Sequence, residues 1–336
     1  MKLEDYSRLV QNIRDIFENG RRNAYYSVNN ILVRTYWEIG KRIVEYEQGG
    51  KGKAAYGKKL LERLSNDLLS RYTKGFSKTN LKYMRLLYLK HGKGQTLSDQ
   101  LSWSHYVEIL SVKDDVERSF YEKECTNSSW SVRELRRQIG SALFYRLALS
   151  RDKKGVKELE KKGQIIDKAS DLIKDPYVLD FLDLEKSAKY TETELEQEII
   201  NHLEQFILEL GKGFMFVDRQ KRITLGGEHF FLDLVFYNRI LRCFVIIELK
   251  IGKMTHKDLG QLQMYVNYYD RDIISEEENF TVGILLCADK NKAIVEYTLP
   301  KGNKQIYASD YKICLPDKRM LEKKLREVIK EDKKND

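Results

Sequence analysis

Apolar and polar positions in the second half of the chain follow strand and helix periods in turn. Residues 243–247 form a continuous apolar run of the kind that fills a buried strand. The run continues into Glu248, Leu249 and Lys250, which puts two charged side chains on one face while Leu249 points into the core. A preceding strand, beginning near residue 231, carries Asp233. The pattern therefore predicts two neighbouring strands with charged side chains on a shared face.

The turn between these strands leaves their register open. A turn at 238–239 pairs Asp233 with Phe244, whereas a turn centred near 240–241 places Asp233 opposite Glu248. In both registers the two carboxylates and the lysine share a face, because the shift is an even number of residues.

Two carboxylates and a lysine in this arrangement suit a metal-dependent nuclease. Mg²⁺ is a hard cation that takes oxygen ligands and keeps several waters, so one or two carboxylates plus a substrate phosphate complete its site. Asp233 and Glu248 are the candidate ligands. Lys250 would lie beside the metal, where its ammonium can orient the attacking water and offset charge that develops on the phosphate.

Helical periods flank the strands. Residues 193–210 predict an amphipathic helix, and a second helix from about 256 to 270 carries Gln261 and Tyr265 at i and i+4 on one face. Glu196 borders the apolar stripe of the first helix and is a candidate third carboxylate. Glu194 and Glu198 are alternatives for that role, but each is more simply explained as a solvated charge on the helix surface.

The first half of the chain predicts helices almost throughout. Several helices joined by short turns could include a helix-turn-helix, and the pair Ser131 and Glu134 forms a capping box for a helix over 132–149. Three arginines beside Trp130 could face phosphate, or they could be solvated while the tryptophans anchor the core; these are Arg133, Arg136 and Arg137. The spacing does not decide between the two interpretations.

Positive charge is concentrated in the same half. Residues 1–150 carry 27 Lys and Arg against 17 Asp and Glu, net +10, whereas residues 151–336 carry 33 against 34, net −1. Residues 51–90 alone hold 11 Lys and Arg and two acidic residues, interleaved with aromatic side chains. Phosphate contacts dominate nucleic-acid affinity, so this stretch predicts a polyanion-binding surface; an ordinary solvated helical surface is the alternative. Its candidate contacts are Lys58, Lys59, Arg71 and Lys74.

Several functional classes are disfavoured by what the sequence lacks. Its four cysteines are widely spaced, which favours reduced core positions over disulfides or a zinc site. The absence of a phosphate-binding G-x-x-x-x-G-K-[ST] loop argues against ATP hydrolysis. Without a signal-peptide pattern or a long apolar run, we expect a cytoplasmic protein with no membrane partner.

Across nearly its whole length the chain resembles the YhcG-like nucleases of the PD-(D/E)XK superfamily. The resemblance rests on short segments in both halves, among them YWEIGKRI (36–43), WSVRELRRQI (130–139), FLDLVFYNRILRCFVIIELKIG (231–252) and GQLQMYVNYYD (260–270). Leu232 stands where the superfamily pattern has proline, and Asp218 stands where a small residue is expected.

The helical, basic first half and the nuclease core that the resemblance implies for the second half together predict a two-domain α+β chain. An all-α, basic, nucleic-acid-binding domain would span 1–150, a connector 151–185, and a restriction-endonuclease-like αβββαβ core 186–336. It implies a site with Asp233, Glu248 and Lys250, with Glu196 on the first helix and Gln261 and Tyr265 on the second.

These expectations combine into one principal hypothesis. The chain is expected to be a nuclease that uses Mg²⁺, with Mn²⁺ as an alternative, to hydrolyse phosphodiester bonds in repair, recombination or defence. DNA is favoured over RNA by the resemblance alone. The competing hypothesis is a non-catalytic nucleic-acid-binding or assembly protein that uses the nuclease fold as a scaffold. The oligomeric state, including a homo-oligomer, is left open.

Overall fold

The computed structural model describes residues 3–49, 55–92, 97–151, 153–182, 184 and 190–335. Contacts within the chain divide it into two units, Met1–Arg136 and Arg137–Asp336. The division falls before the domain boundary expected at residue 150.

The first unit is helical, as the sequence predicted. Its first helix is 47 residues long. The helices are α1 (Leu3–Gly49), α2 (Ala55–Tyr72), α3 (Lys78–Lys90), α4 (Trp103–Ser111), α5 (Asp115–Ser128) and α6 (Val132–Gly140), the last of which crosses the division. The backbones of α1 and α3 meet at Gly40, where an added Cβ would lie 2.0 Å from the carbonyl oxygen of Met84. Only glycine permits this approach, because any side chain would clash with α3. The two helices pack around a core whose buried residues are Ile43, Leu81 and Met84.

The helix predicted over 132–149 is two helices. It begins as expected, because the Ser131 hydroxyl accepts a hydrogen bond of 3.2 Å from the Glu134 amide. It ends at Gly140, and Ala142, with φ of +54°, turns the chain into α7 (Leu143–Leu149). The helix-turn-helix remains a prediction.

The second unit is built on a mixed six-stranded sheet. Its remaining elements are α8 (Lys153–Lys162), β1 (Tyr177–Val178), α9 (Glu192–Asn201), α10 (Leu203–Leu210), β2 (Phe214–Leu225), β3 (Glu228–Asn238), β4 (Cys243–Lys253), α11 (His256–Tyr268), β5 (Val282–Asp289), α12 (Lys292–Thr298), β6 (Ile306–Lys312) and α13 (Lys318–Asn335). The strand order is β1-β6-β5-β4-β3-β2, in which β2, β3 and β4 are antiparallel and β4, β5, β6 and β1 are parallel. The expected αβββαβ core is confirmed within this sheet.

Helices cover both faces of the sheet. The helix predicted over 193–210 is broken at His202 into α9 and α10, and its apolar side chains pack on one face with Ile247 and Leu249. On the other face α11 packs with Ile246, Leu285 and their neighbours. It lies close to β5 because Gly283 has no side chain: a Cβ there would be 2.9 Å from Leu262 and from Val266.

The β3–β4 register is the second of the two that the sequence allowed. Leu234 pairs with Ile247 and Asn238 pairs with Cys243, which centres the turn near 240–241. The Asn238 side chain fixes this turn, because its Oδ1 accepts hydrogen bonds of 3.1 Å from the amides of Ile240 and Leu241. Asp233 and Glu248 are the next residues in register after Leu234 and Ile247.

Candidate active site

Asp233 lies where the regular pattern of β3 breaks. Leu234 and Phe236 pack against α9 and α10, and Val235 packs against α11, as alternation requires. Leu232, however, packs on the same side as Val235. The strand is therefore distorted at Asp233, and this distortion turns the carboxylate toward β4.

The carboxylates of Asp233 and Glu248 accept hydrogen bonds from backbone amides of β3 and β4. The Asp233 amide donates to Oε1 of Glu248 at 3.1 Å, and the Leu249 amide donates to Oδ2 of Asp233 at 2.9 Å. Backbone donors thus fix one oxygen of each side chain. Two acidic groups on adjacent strands are thereby held side by side in a defined orientation.

Glu196 of α9 reaches the same place through a glutamine. Nε2 of Gln220 donates to Oε2 of Glu196 and, at 3.1 Å, to Oδ1 of Asp233. Gln220 stands on β2 next to Arg219, which pairs with Leu234, and it has a left-handed φ of +44°. One amide therefore connects a helix carboxylate to a strand carboxylate.

The two competitors on α9 have other roles in the structure. Glu194 closes the capping box at the start of the helix, with the Thr191 amide donating to its carboxylate at 2.7 Å. Glu198 accepts a hydrogen bond of 3.1 Å from Asn201. Of the three glutamates, Glu196 is the one that lies beside Asp233.

Burial makes negative charge unfavourable at all three carboxyl groups. Desolvation raises the pKa of Glu196, of Asp233 and, most strongly, of Glu248, whose side chain also lies next to Asp233. None of the ion pairs among the described residues includes any of the three. Within that part of the chain, the hydrogen bonds to their oxygens come from backbone and amide N–H groups, and a bound cation would relieve the remaining cost of desolvation.

Lys250 is held at the edge of this cluster by acidic residues. Its Nζ lies 3.0 Å from Oε1 of Glu192 and 3.8 Å from Oδ1 of Asp258. The hydrogen bond to Glu192 raises the pKa of Lys250, so the side chain stays an ammonium. Asp258 is itself fixed by the N-terminal capping box of α11, where the Thr255 amide donates to it at 2.6 Å.

Gln261 and Tyr265 are neighbours on α11, as predicted, but the tyrosine is buried. Gln261 donates to the Tyr265 hydroxyl at 2.7 Å, and that hydroxyl donates to the carbonyl oxygen of Phe231 at 3.2 Å. Desolvation raises the pKa of Tyr265 to about 12. The pair ties α11 to β3 two residues before Asp233, which indicates a positioning role.

The donor set suits a hard divalent cation. In the ranges that the structure describes, no group of three or more His, Cys, Asp or Glu side chains has the spacing of a complete metal site. Two carboxylates, with waters and a substrate oxygen, are nevertheless sufficient for Mg²⁺. Asp233 and Glu248 offer such oxygens side by side, and Glu196 lies next to them.

Three of the expected nucleic-acid contacts are exposed in the first unit, and we refer to them together as the basic patch: Lys59, Arg71 and Lys74. No ion pair among the described residues neutralises them. Lys58 lies on α2, but its side chain is outside the described residues. The patch leaves its positive charge available to a polyanion.

The three arginines of α6 differ from one another. Arg133 is exposed, and Arg136 is exposed but pairs with Glu108 at 2.6 Å. Arg137 is only 21% exposed and lies 3.7 Å from the buried Glu209, which disfavours a phosphate contact. Glu209 also forms a fully buried ion pair with Arg146, which belongs to the second unit although it precedes residue 150.

Gln220 and Glu192 were not predicted from the sequence. Gln220 owes its place to a left-handed backbone at a non-glycine residue, for which the sequence carries no pattern. A signal for Glu192 exists, because Thr191 and Glu194 form a capping box that marks the start of α9 and places Glu192 in its first turn.

Comparison with protein families defines the class. A model described as "YhcG PDDEXK nuclease domain" matches residues 170–327, and one described as "DUF1016 N-terminal domain" matches residues 12–146. The second unit is thus a PDDEXK nuclease domain.

The particular family follows from one curated relative. The chain is 39% identical over 348 residues to "Putative nuclease YhcG" of Escherichia coli (strain K12), covering 94% of this chain and 92% of that protein. The chain belongs to the YhcG family.

Two solved structures match part of the chain. They are a repair endonuclease from Pyrococcus abyssi, with 20% identity and a TM-score of 0.26, and EndoMS in its apo form, with 18% identity and a TM-score of 0.25. Each match covers 39% of this chain, and 50% and 49% of the respective structures.

Two further features concern the cysteines and the helices. The cysteines are free, and Cys125, Cys243 and Cys287 are buried. Over the described part of the chain, no helix combines the length and apolarity needed to cross a membrane.

Proposed function

We propose that the chain is a divalent-metal-dependent nuclease that hydrolyses phosphodiester bonds of DNA, with Mg²⁺ as its ion and Mn²⁺ as a substitute. The observation that carries this proposal is the pair Asp233 and Glu248. The carboxylates of half-buried Asp233 and buried Glu248 are held side by side on adjacent strands, and no ion pair in the described part of the chain neutralises them. Two desolvated negative charges side by side are unfavourable in the absence of a cation. With a bound divalent cation, the same two carboxylates would serve as its ligands.

Asp233 and Glu248 would hold the ion, with Glu196 as a further ligand. When bound, the ion polarises the phosphate and makes a bound water more acidic. Gln220 donates to both Glu196 and Asp233, and so orients the ligands from α9 and β3 before substrate arrives.

Lys250 contributes as a cation. Because Glu192 raises the pKa of Lys250, its ammonium donates hydrogen bonds to the phosphate or to the attacking water and does not accept a proton. Negative charge that develops on the phosphate in the transition state is thereby offset.

The basic patch is proposed to bind the backbone of the nucleic acid. Its charges are exposed and unpaired within the described residues, and affinity from such contacts depends on the release of counterions. Cleavage would then occur in the second unit, whose part of the chain has almost no net charge.

A cleavage assay tests the proposal. The full chain is incubated with single-stranded, duplex and branched DNA and RNA, with Mg²⁺, Mn²⁺ or EDTA. Asp233→Asn serves as the site variant and Glu228→Gln, an exposed position on the same strand, as its control. We expect DNA cleavage that requires the metal, is lost in Asp233→Asn and persists in Glu228→Gln. Cleavage that survives EDTA, or full activity of Asp233→Asn, would refute the assignment.

A further inference from the structure

The first part of α1 exposes a long apolar stripe. Tyr6, Ile13, Ile16 and Phe17 are 54–73% exposed although all are large and apolar. The stripe ends at Val33, which is 2% exposed and begins the part of α1 that packs within the first unit. Scattered apolar side chains are common on surfaces, but a continuous stripe of this length indicates a binding surface.

The stripe has the spacing of a coiled coil. Its central positions, at alternating intervals of four and three residues, are Tyr6, Val10, Ile13, Phe17, Gly20, Ala24, Ser27 and Ile31. None of these residues is charged, and all are exposed. A repeat of 3.5 residues keeps a seam facing a partner helix along its whole length. The next residue in the repeat is Arg34, where the seam ends.

Bulk and charge are divided unequally along this seam. Residues 6–17 supply large side chains, whereas Gly20, Ala24 and Ser27 are small. Residues 3–18 carry four acidic and two basic residues, net −2, and residues 19–32 carry two arginines and no acidic residue, net +2. When two identical helices pair antiparallel, the large side chains of each half lie opposite the small side chains of the other, and this favours that arrangement.

Gly20 supports this arrangement. A Cβ at Gly20 would meet nothing within 4 Å, so packing against the described residues does not explain the glycine. A glycine inside a helix costs about 1 kcal/mol relative to alanine. In an antiparallel pair, Phe17 of one copy lies over Gly20 of the other and Ile13 lies over Ala24, so the glycine makes room for an aromatic ring.

We propose that the exposed stripe of α1 is the interface through which two copies of this chain associate as an antiparallel pair. Eight large apolar side chains lie on or beside the seam between Tyr6 and Ile31. At about 100 Å² each, two copies would bury on the order of 1,600 Å², the size of a standard specific interface. The segment has no net charge in a chain of net +9, so pairing brings no net repulsion there and the stripe has no excess charge to attract a polyanion.

Association is tested on the full chain by sedimentation equilibrium at micromolar concentration. The face variant is Ile13→Glu with Phe17→Glu, and the matched control is Asn12→Glu with Asn19→Glu, which adds the same charge at exposed polar positions of the same helix. We expect a dimer for the wild type and the control, and association weakened at least about 100-fold in the face variant. Circular dichroism should be unchanged, because all four side chains are exposed in the single chain.

Orientation is tested with single cysteine variants. Under oxidation, a mixture of Ile13→Cys and Ala24→Cys chains should form more disulfide-linked dimer than either variant forms by itself. The wild-type chain serves as the background control. A monomeric wild type would overturn the proposal. So would a dimer that survives in the face variant, loss of the dimer in the control, or cross-linking of like positions in preference to the mixed pair.

Discussion

Replacing Glu248 with glutamine should stabilise the metal-free protein and abolish its response to metal. The side chain is 8% exposed, lies beside Asp233 and keeps its shape in the variant. Desolvation and the neighbouring carboxylate raise the pKa of Glu248 well above 4.5, so the ionised form disfavours folding at neutral pH. Glutamine removes that charge and can still accept the hydrogen bond from the Asp233 amide.

The magnitude follows from linkage. Each unit by which the folded-state pKa exceeds the unfolded value costs about 1.4 kcal/mol once the group is ionised in both states. A gain of 1 kcal/mol raises Tm by about 2–4 °C in a domain of this size. The advantage of the variant should be complete above the folded-state pKa, should shrink as pH falls, and should vanish below pH 4.5, where the wild-type carboxyl is protonated in both states.

Metal should reverse the order of stability. A ligand present at ten times its Kd stabilises the folded state by about 1.4 kcal/mol, and at a hundred times by about 2.7 kcal/mol. The assay is thermal unfolding of the full chain against Mg²⁺ and pH, with Glu228→Gln as the control for loss of one exposed carboxylate. Two results would contradict this expectation: a Glu248→Gln protein that is less stable than wild type in EDTA, or one whose thermal stability rises with Mg²⁺ as much as that of wild type.

Three further results are expected. Lys250→Ala should lower kcat about 100-fold with metal affinity unchanged, while Lys253→Ala on the same strand has little effect; equal turnover in both would remove Lys250 from the mechanism. A fragment of residues 165–336 leaves Glu209 buried without Arg146, so its free energy of unfolding in urea should be about 3–5 kcal/mol lower than that of a fragment of residues 137–336. Equal free energies of unfolding for the two fragments would contradict this. Reversing the three charges of the basic patch should weaken DNA binding and flatten its salt dependence while cleavage at saturating substrate persists; unchanged affinity and slope would exclude the patch.

The sequence predicted the elements that carry the site because their patterns are local. An apolar run that ends in Glu-Leu-Lys identified β4, and helical spacing identified α11 with Gln261 and Tyr265. The register between β3 and β4 was not predictable from those patterns, because both alternatives kept the same faces. It depends on the Asn238 side chain, which binds two amides in the turn.

What the sequence missed depends on contacts between distant segments. Gln220 meets Glu196 and Asp233 because a bulge near Asp218 and a left-handed backbone place it beside them. Arg146 belongs to the second unit, and its partner Glu209 lies 63 positions away in the sequence.

The central claim is that Asp233 and Glu248 together bind the divalent ion. An anomalous difference map from crystals of the full chain grown with Mn²⁺ tests it directly. We expect a peak within about 2.1 Å of a carboxylate oxygen of each residue, beside Lys250, and no peak in Asp233→Asn crystals. A peak at other side chains, or no peak at this site in crystals of protein that cleaves DNA with Mn²⁺, would contradict it.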